Sequence, residues 1–213
     1  QQNFQFIDIR LQILQQVQGF LCEKGIVDTD AYRQANDYFF DQYVAGTLDI
    51  EEFLAFALKP LAELEPEQLQ NLHQQFMTEK VAGMMLPKAA ALLQKHKDQG
   101  DYTLIITATN RFVTGPIAAK LGVDEIIATD PEMVDGRYTG KVAGTPCFQD
   151  GKVTRLNNWL ADNPFTLKGS YFYSDSNNDL PLLKLVDYPV AVDADETLTT
   201  TAKANNWEII SLR

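Results

Sequence analysis

The chain has 213 residues, 45% of them hydrophobic and 22% charged, enough for one α/β domain with a sizeable core or a core plus a small insertion. Eighteen Lys and Arg against 29 Asp and Glu leave a net charge of −11, which excludes the broad basic face that nucleic acid requires, although one pocket can still be positive. Two cysteines far apart in sequence, Cys22 and Cys147, make no disulfide framework and point to a cytoplasmic protein. His73 and His96 are too isolated to build a His-based metal site. No apolar run of about 18 residues is present, so no membrane span is expected, and the glutamine-rich start lacks the charge cluster of a signal peptide.

In chain order, Phe4-Gln5-Phe6-Ile7-Asp8-Ile9 alternates and is rich in strand formers, which predicts a first strand. Residues 11–24 have a helical pattern, with Leu14, Val17 and Leu21 near one face and glutamines dense on the solvated side. Residues 30–80 read as wholly helical. Tyr32, Phe39, Phe40 and Tyr43 recur at helical spacing, Gly46-Thr47-Leu48-Asp49 is a turn and N-cap, and Phe53, Phe56 and Leu61 continue the apolar stripe. Pro66 opens a further helix to about Lys80. This aromatic stripe is read as core rather than as a ligand site.

After Pro87 the pattern changes. A helix over 87–98 precedes the apolar run Tyr102–Ala108, which has the look of a buried parallel strand. A helix over 114–121, a strand at 126–128 and a β-hairpin around Asp135-Gly136 follow. Helix 152–162, strand 170–174, helix 178–186, strand 189–192, helix 195–205 and strand 207–211 complete the chain. Alternating strands and helices predict an α/β fold, a Rossmann-like doubly wound parallel sheet, made of residues 1–14 and 81–213. The stretch 15–80 is then an inserted all-helical cap.

Three constellations carry chemistry. Thr107 ends a strand, and Ala108-Thr109-Asn110-Arg111 offers backbone N–H groups and a cation at a helix start, an anion site in outline. Each is also compatible with a structural hydroxyl and a solvated arginine. Lys152 opens a helix, against the helix dipole, which implies a carboxylate or phosphate partner or else simple exposure. Asp175 directly follows an apolar strand and Asp179 opens the next helix. Two carboxylates at the carboxyl end of a strand suit a hard cation such as Mg²⁺, and capping of backbone N–H groups is the alternative use.

The order Thr, Lys, Asp-x-x-x-Asp, each beside a strand end, resembles the haloacid dehalogenase superfamily, in its phosphoserine-phosphatase-like branch with a helical cap. The likeness rests on Leu-Ile-Ile-Thr-Ala-Thr-Asn-Arg-Phe-Val-Thr (104–114), Asp-Gly-Arg-Tyr-Thr-Gly (135–140), Gly-Thr-Pro-Cys-Phe (144–148), Gly-Lys-Val-Thr-Arg-Leu (151–156) and Tyr-Ser-Asp-Ser-Asn-Asn-Asp-Leu-Pro-Leu-Leu (173–183), and covers roughly residues 20–213. It implies a Mg²⁺-dependent phosphomonoesterase acting on a small phosphorylated metabolite, with no nucleic-acid or membrane partner. Asp8 would be the nucleophile and a metal ligand, Thr107 and Lys152 would hold the phosphoryl group, and Asp175 would bind Mg²⁺. Asp179 would support the metal or Lys152, and Ala108, Asn110, Arg111 and Asn178 would line the phosphate site.

The family's first motif, Asp-x-Asp-x-Thr, is not intact here. Asp8 matches its first Asp, but Arg10 stands at the second, the general acid and base, and Gln12 at the Thr. Arginine does not exchange a proton near neutral pH. The chain as written is therefore expected to turn over slowly or not at all. A non-hydrolysing relative that binds a phosphorylated ligand, an enzyme with Asp8 and weakened acid–base help, and an N-terminal segment that departs from the native one are the three readings. A phosphotransferase is a weaker option, and dehalogenation is disfavoured because Asp175 suits phosphate chemistry. Oligomeric state is not legible.

Overall fold

A computed structural model describes residues 4–7, 11–84 and 86–213. The elements run β1 (Phe4–Ile7), α1 (Leu11–Glu23), α2 (Thr29–Ala45), α3 (Ile50–Glu63), α4 (Pro66–Glu79), α5 (Pro87–Asp98), β2 (Tyr102–Asn110), α6 (Arg111–Leu121) and β3 (Glu125–Thr129). They continue with β4 (Pro131–Val134), β5 (Arg137–Val142), α7 (Asp150–Asp162), β6 (Tyr171–Ser174), α8 (Leu180–Leu183), β7 (Tyr188–Val192), α9 (Glu196–Ala204) and β8 (Glu208–Ile210).

Six strands form one parallel sheet in the order β3-β2-β1-β6-β7-β8. Ile7 at the end of β1 registers with Ile105 of β2 on one side and Tyr173 of β6 on the other. The chain steps outward from β1 to β3, returns to the far side of β1 and steps outward again to β8. The reversal between β1 and β6 opens a crevice at the carboxyl ends of the strands, the place where such sheets bind ligands. Asp8, expected at the head of this crevice, lies outside the described residues, as do Ile9 and Arg10.

The sheet is covered on both faces, as a parallel sheet requires. Leu104, Ile106 and Phe172 pack with Leu156 of α7, Leu182 and Leu183 of α8, and Leu198 and Ala202 of α9. On the other face, His96 of α5 sits between Asp101 and Tyr173, at 2.8 Å from each, so its polar ring is satisfied although it is buried. Burial raises the phenol pKa of Tyr173, which keeps it a hydrogen-bonding group rather than an anion.

The helices between β1 and β2 are bounded by their local chemistry. Asp28 and Asp49 accept backbone N–H groups at the starts of α2 and α3, and Gly46, at φ 73°, ends α2 in a left-handed turn that a side chain would disfavour. Phe39 of α2 meets Phe53 and Phe56 of α3 with ring centroids 5.5 and 5.3 Å apart. Ile13 and Phe20 of α1, Phe76 of α4 and Val113 and Ile117 of α6 form a second cluster that fixes α1 and α4 against α6. Leu54, Leu58 and Leu61 of α3 form a third with Leu69, and the β4–β5 hairpin packs on it through Tyr138 and Val142.

Three elements differ from the sequence reading. The helix expected at 114–121 begins at Arg111, because the Asn110 side chain accepts the Val113 N–H at 3.1 Å and caps it three residues earlier. The helix expected over 178–186 is a 3₁₀ turn at Asn177–Asp179 followed by the four residues of α8. Ser176 caps the first turn and Pro181 starts the second, which splits the run. The aromatic stripe is not all core: Tyr32 and Phe39 are buried, and Phe39, Phe40 and Tyr43 line a cleft.

Candidate active site

Thr107 sits where β2 reaches the crevice, fully buried, and its Oγ1 accepts the Thr109 N–H at 3.2 Å. The pairing of β2 with β3 shifts register between Thr107 and Asn110, so the strand bulges here and re-aims its side chains. Thr109 Oγ1 is buried and meets no hydrogen-bond partner among the described residues. Ala108 lines the cleft above. Asn110 is occupied in capping α6. Arg111 donates from Nε to Asp130 Oδ1 at 2.5 Å and from Nη2 to the Ile126 carbonyl at 3.1 Å, which holds its guanidinium against Asp130.

Lys152 is wholly buried in the first turn of α7, with Nζ 2.6 Å from Asp179 Oδ1 and 5.9 Å from the Phe172 ring centroid. The loop before it is tightly folded. Phe148 donates its N–H to the Pro146 carbonyl at 2.9 Å, Gly151 to Phe148 at 2.8 Å and Lys152 to Gln149 at 3.0 Å. Gln149 has φ 45° and ψ −120°, an unusual conformation for a side-chain-bearing residue. A Cβ at Gly151 would lie 2.1 Å from the Pro146 carbonyl oxygen, so only glycine lets the loop close this far. Cys147 is buried, with its N–H on Thr129 Oγ1 at 3.0 Å.

The base of α7 is pinned as well. Arg155 donates to the Thr145 carbonyl at 3.2 Å and to Asp130 Oδ2 at 2.5 Å, so one carboxylate joins α6, the end of β3 and α7. Burial alone would push the Asp130 carboxyl up, but the guanidinium groups of Arg111 and Arg155 hold it below its ordinary value.

Asp175 follows β6 directly and is half-buried. Its carbonyl accepts the Asp195 N–H at 2.9 Å, and the Asp195 carboxylate accepts the N–H groups of Asn177 at 2.6 Å and Leu198 at 2.7 Å. The loop is thereby locked to the start of α9. Asp179 is wholly buried and its Oδ2 accepts the Ser174 hydroxyl at 2.7 Å. Asn178 accepts from Gln149 Nε2 at 2.8 Å and donates from Nδ2 to the Tyr43 carbonyl at 3.0 Å. The Tyr43 hydroxyl donates to Ser176 Oγ at 2.5 Å. Thus α2 is tied to the loop after β6 by two hydrogen bonds from one residue.

Thr107, Lys152, Asp175, Asp179 and Asn178 all lie on strand ends or helix starts around the crevice beside β1. A buried ammonium and a hydroxyl supply positive character for a phosphoryl group, and Asp175 supplies a hard oxygen donor. Among the described residues no group of three or more His, Cys, Asp or Glu gathers to hold a metal. That donor set still fits Mg²⁺, which is usually held by one or two carboxylates together with waters and substrate phosphate oxygens.

Sequence reasoning missed Tyr43, Ser176 and Gln149. Tyr43 sits on a helix face that periodicity assigns to core, and nothing local marks the tie it makes 133 residues away. A cleft of about 60 Å³ above the crevice is lined by Asn36, Phe40, Tyr43, Phe53, Ala108 and Phe148, with Gln15, Gln18, Phe39, Leu48 and Ile50.

The sequence profile of the haloacid dehalogenase-like hydrolases matches residues 16–184. A histidinol-phosphatase from Neisseria meningitidis is 43% identical over 198 residues, 91% of this chain and 89% of that protein. A phosphoserine phosphatase from Mycobacterium tuberculosis is 30% identical over 188 residues, 85% of this chain but 61% of that protein. A solved protein of unknown function from Bordetella pertussis superposes with a TM-score of 0.91 at 38% identity, covering 100% of this chain and 99% of that one. A phosphoserine phosphatase solved as an analogue of its phospho-aspartyl intermediate shares the fold, with a TM-score of 0.70 at 17% identity over 100% of this chain and 94% of that one.

Proposed function

The chain belongs to the haloacid dehalogenase-like hydrolase family, as a phosphatase, and we propose that it is a Mg²⁺-dependent phosphomonoesterase acting through an aspartyl-phosphate on Asp8. The substrate is a small amine-bearing phosphomonoester, since one relative is named for histidinol phosphate and another for phosphoserine. The observation that carries this reading is the buried Lys152–Asp179 pair, with Asp179 in the turn after β6, the strand beside β1 at which the strand order reverses.

The residues take the following roles. Thr107 Oγ1 and the N–H groups after it bind phosphoryl oxygens. Lys152 neutralises charge on the phosphoryl group and the nucleophile, and Asp179 holds Lys152 in place rather than ligating the metal. Asn178 steadies the phosphate end and carries the tie to Tyr43. Asp175 and Asp8 are the carboxylates that would hold Mg²⁺, which when bound neutralises phosphoryl oxygens. Arg111 and Asn110 act indirectly, by fixing α6.

A carboxylate oxygen of Asp8 attacks phosphorus, the ester P–O bond breaks, and the leaving oxygen takes a proton from solvent water. Water then attacks the acyl phosphate and releases inorganic phosphate and the free carboxylate. Arg10 cannot serve as the proton carrier, so turnover is slower by about 10²–10⁴-fold than an intact acid–base pair would give. A binding protein that holds a phosphorylated ligand without hydrolysing it is the second reading, and Arg10 is what favours it. Phosphate release from histidinol phosphate and phosphoserine, with Mg²⁺ and with EDTA, tests the assignment. Slow, Mg²⁺-dependent release supports it, and binding with no release at all favours the second reading.

A further inference from the structure

We propose, resting on the reading that Asn178 stands at the phosphate end of the site, that Gln149 is a positioning residue: it fixes the orientation of the Asn178 amide and so couples the loop that delivers Lys152 to α2. Gln149 occupies the N-cap position of α7 but does not use its side chain to cap that helix. Its backbone takes φ 45° and ψ −120°, a conformation that persists only where the surroundings hold it. The side chain reaches away instead and donates from Nε2 to Asn178 Oδ1 at 2.8 Å, across 29 residues of sequence.

The orientation follows from what each partner can do. A backbone carbonyl only accepts, so the Tyr43 carbonyl, 3.0 Å from Asn178 Nδ2, must face the amide nitrogen. Asn178 Oδ1 then points the other way and needs a donor, which Gln149 Nε2 supplies. Asn178 is only 3% exposed, so bulk water does not readily stand in for that donor. The Asn178 backbone N–H is spent on Ser176 Oγ at 3.2 Å, and the Tyr43 hydroxyl donates to the same oxygen. One chain of hydrogen bonds thus runs from the start of α7 through Asn178 to the end of α2.

Removing the Gln149 donor leaves Asn178 Oδ1 buried and unsatisfied, which costs more than a hydrogen bond lost at the surface. The amide can relieve this only by turning, and a turned amide sets its oxygen against the Tyr43 carbonyl. Either outcome loosens α2 from the turn after β6. Phosphoryl oxygens accept hydrogen bonds, so Asn178 is of use to them through N–H, and Gln149 keeps the amide oxygen occupied. Lys152 shares the same anchor, because its N–H bonds to the Gln149 carbonyl at 3.0 Å.

The test is Gln149→Met in the full chain, which keeps the length of the side chain but cannot donate. Heteronuclear NMR spectra without ligand read the orientation. The Asn178 side-chain amide, identified by its absence in Asn178→Ala, should exchange with solvent at least about tenfold faster in Gln149→Met. Calorimetric titration with inorganic phosphate and Mg²⁺ reads the consequence. Gln149→Met should bind phosphate about two- to tenfold more weakly than the parent chain, and should add nothing to the loss in Asn178→Ala. Unchanged amide exchange would overturn the inference. So would, where Asn178→Ala weakens phosphate binding, a Gln149→Met affinity equal to the parent's or a loss that adds in full to that of Asn178→Ala. A parent chain that takes no phosphate, or an Asn178→Ala chain that takes it as tightly, removes the phosphate reading alone, and the exchange rates then decide whether Gln149 holds the amide.

Discussion

The ammonium of Lys152 and the carboxylate of Asp179 stand 2.6 Å apart with neither side chain reaching solvent. A charge pair in such a place is held by its geometry: Gly151 lets the loop close against Pro146, and Ser174 orients the carboxylate from β6. Removing one partner leaves a buried charge, which typically costs about 3–5 kcal/mol. Lys152→Met should therefore lower stability by about that amount in urea unfolding at neutral pH. The double variant Lys152→Met/Asp179→Asn should recover part of the loss, because no bare carboxylate remains. A single variant as stable as the parent chain would show that the pair is not energetically coupled.

Gly151→Ala should be more damaging than its size implies. Its methyl would meet a backbone carbonyl oxygen at 2.1 Å, not the movable end of a side chain. A cost of about 3 kcal/mol or more is expected, together with loss of phosphate binding as Lys152 is displaced. Thermal unfolding and phosphate titration of the variant check both parts.

Tyr43→Phe removes the hydroxyl on Ser176 and keeps the backbone carbonyl that Asn178 uses. Stability should change by only about 0.5–1.5 kcal/mol. The looser tie between α2 and the loop after β6 should raise KM more than it lowers kcat. An equal fall in kcat with KM unchanged would place Tyr43 in the chemical step instead.

The Asp130 carboxyl is held below its ordinary value of 3.8 against the pull of burial by two guanidinium groups. A lowered folded-state pKa contributes stability above the unfolded value and loses it as pH falls through the folded one. Asp130→Asn should thus be less stable than the parent at neutral pH, with the difference shrinking below about pH 4. Denaturant midpoints across pH 3 to 7 provide the check, and a constant difference would mean that the ion pairs are not its source.

Much of this architecture is written locally. The apolar run Tyr102–Ala108, the Asp135-Gly136 turn and the cap residue Asp49 announce their elements through periodicity and turn chemistry alone. The placement of Thr107, Lys152, Asp175 and Asp179 at strand ends or helix starts was legible too, because the pattern marks those boundaries. What escaped depends on distant packing. Periodicity places Phe40 and Tyr43 on the stripe that holds Phe39, and only the approach of α2 to the loop after β6 turns them toward a cleft. The pairing of Arg111 with Asp130 likewise depends on where β3 ends.

The most direct test of the central claim is mass spectrometry of the acid-quenched chain after incubation with a phosphomonoester and Mg²⁺. The account predicts a phosphoryl group on the peptide that contains Asp8, formed only with metal, lost in Asp8→Asn and reduced in Asp175→Asn, with slow release of inorganic phosphate. Mg²⁺-dependent phosphate release that persists in Asp8→Asn, or the absence of both label and release with every phosphomonoester offered, would contradict it.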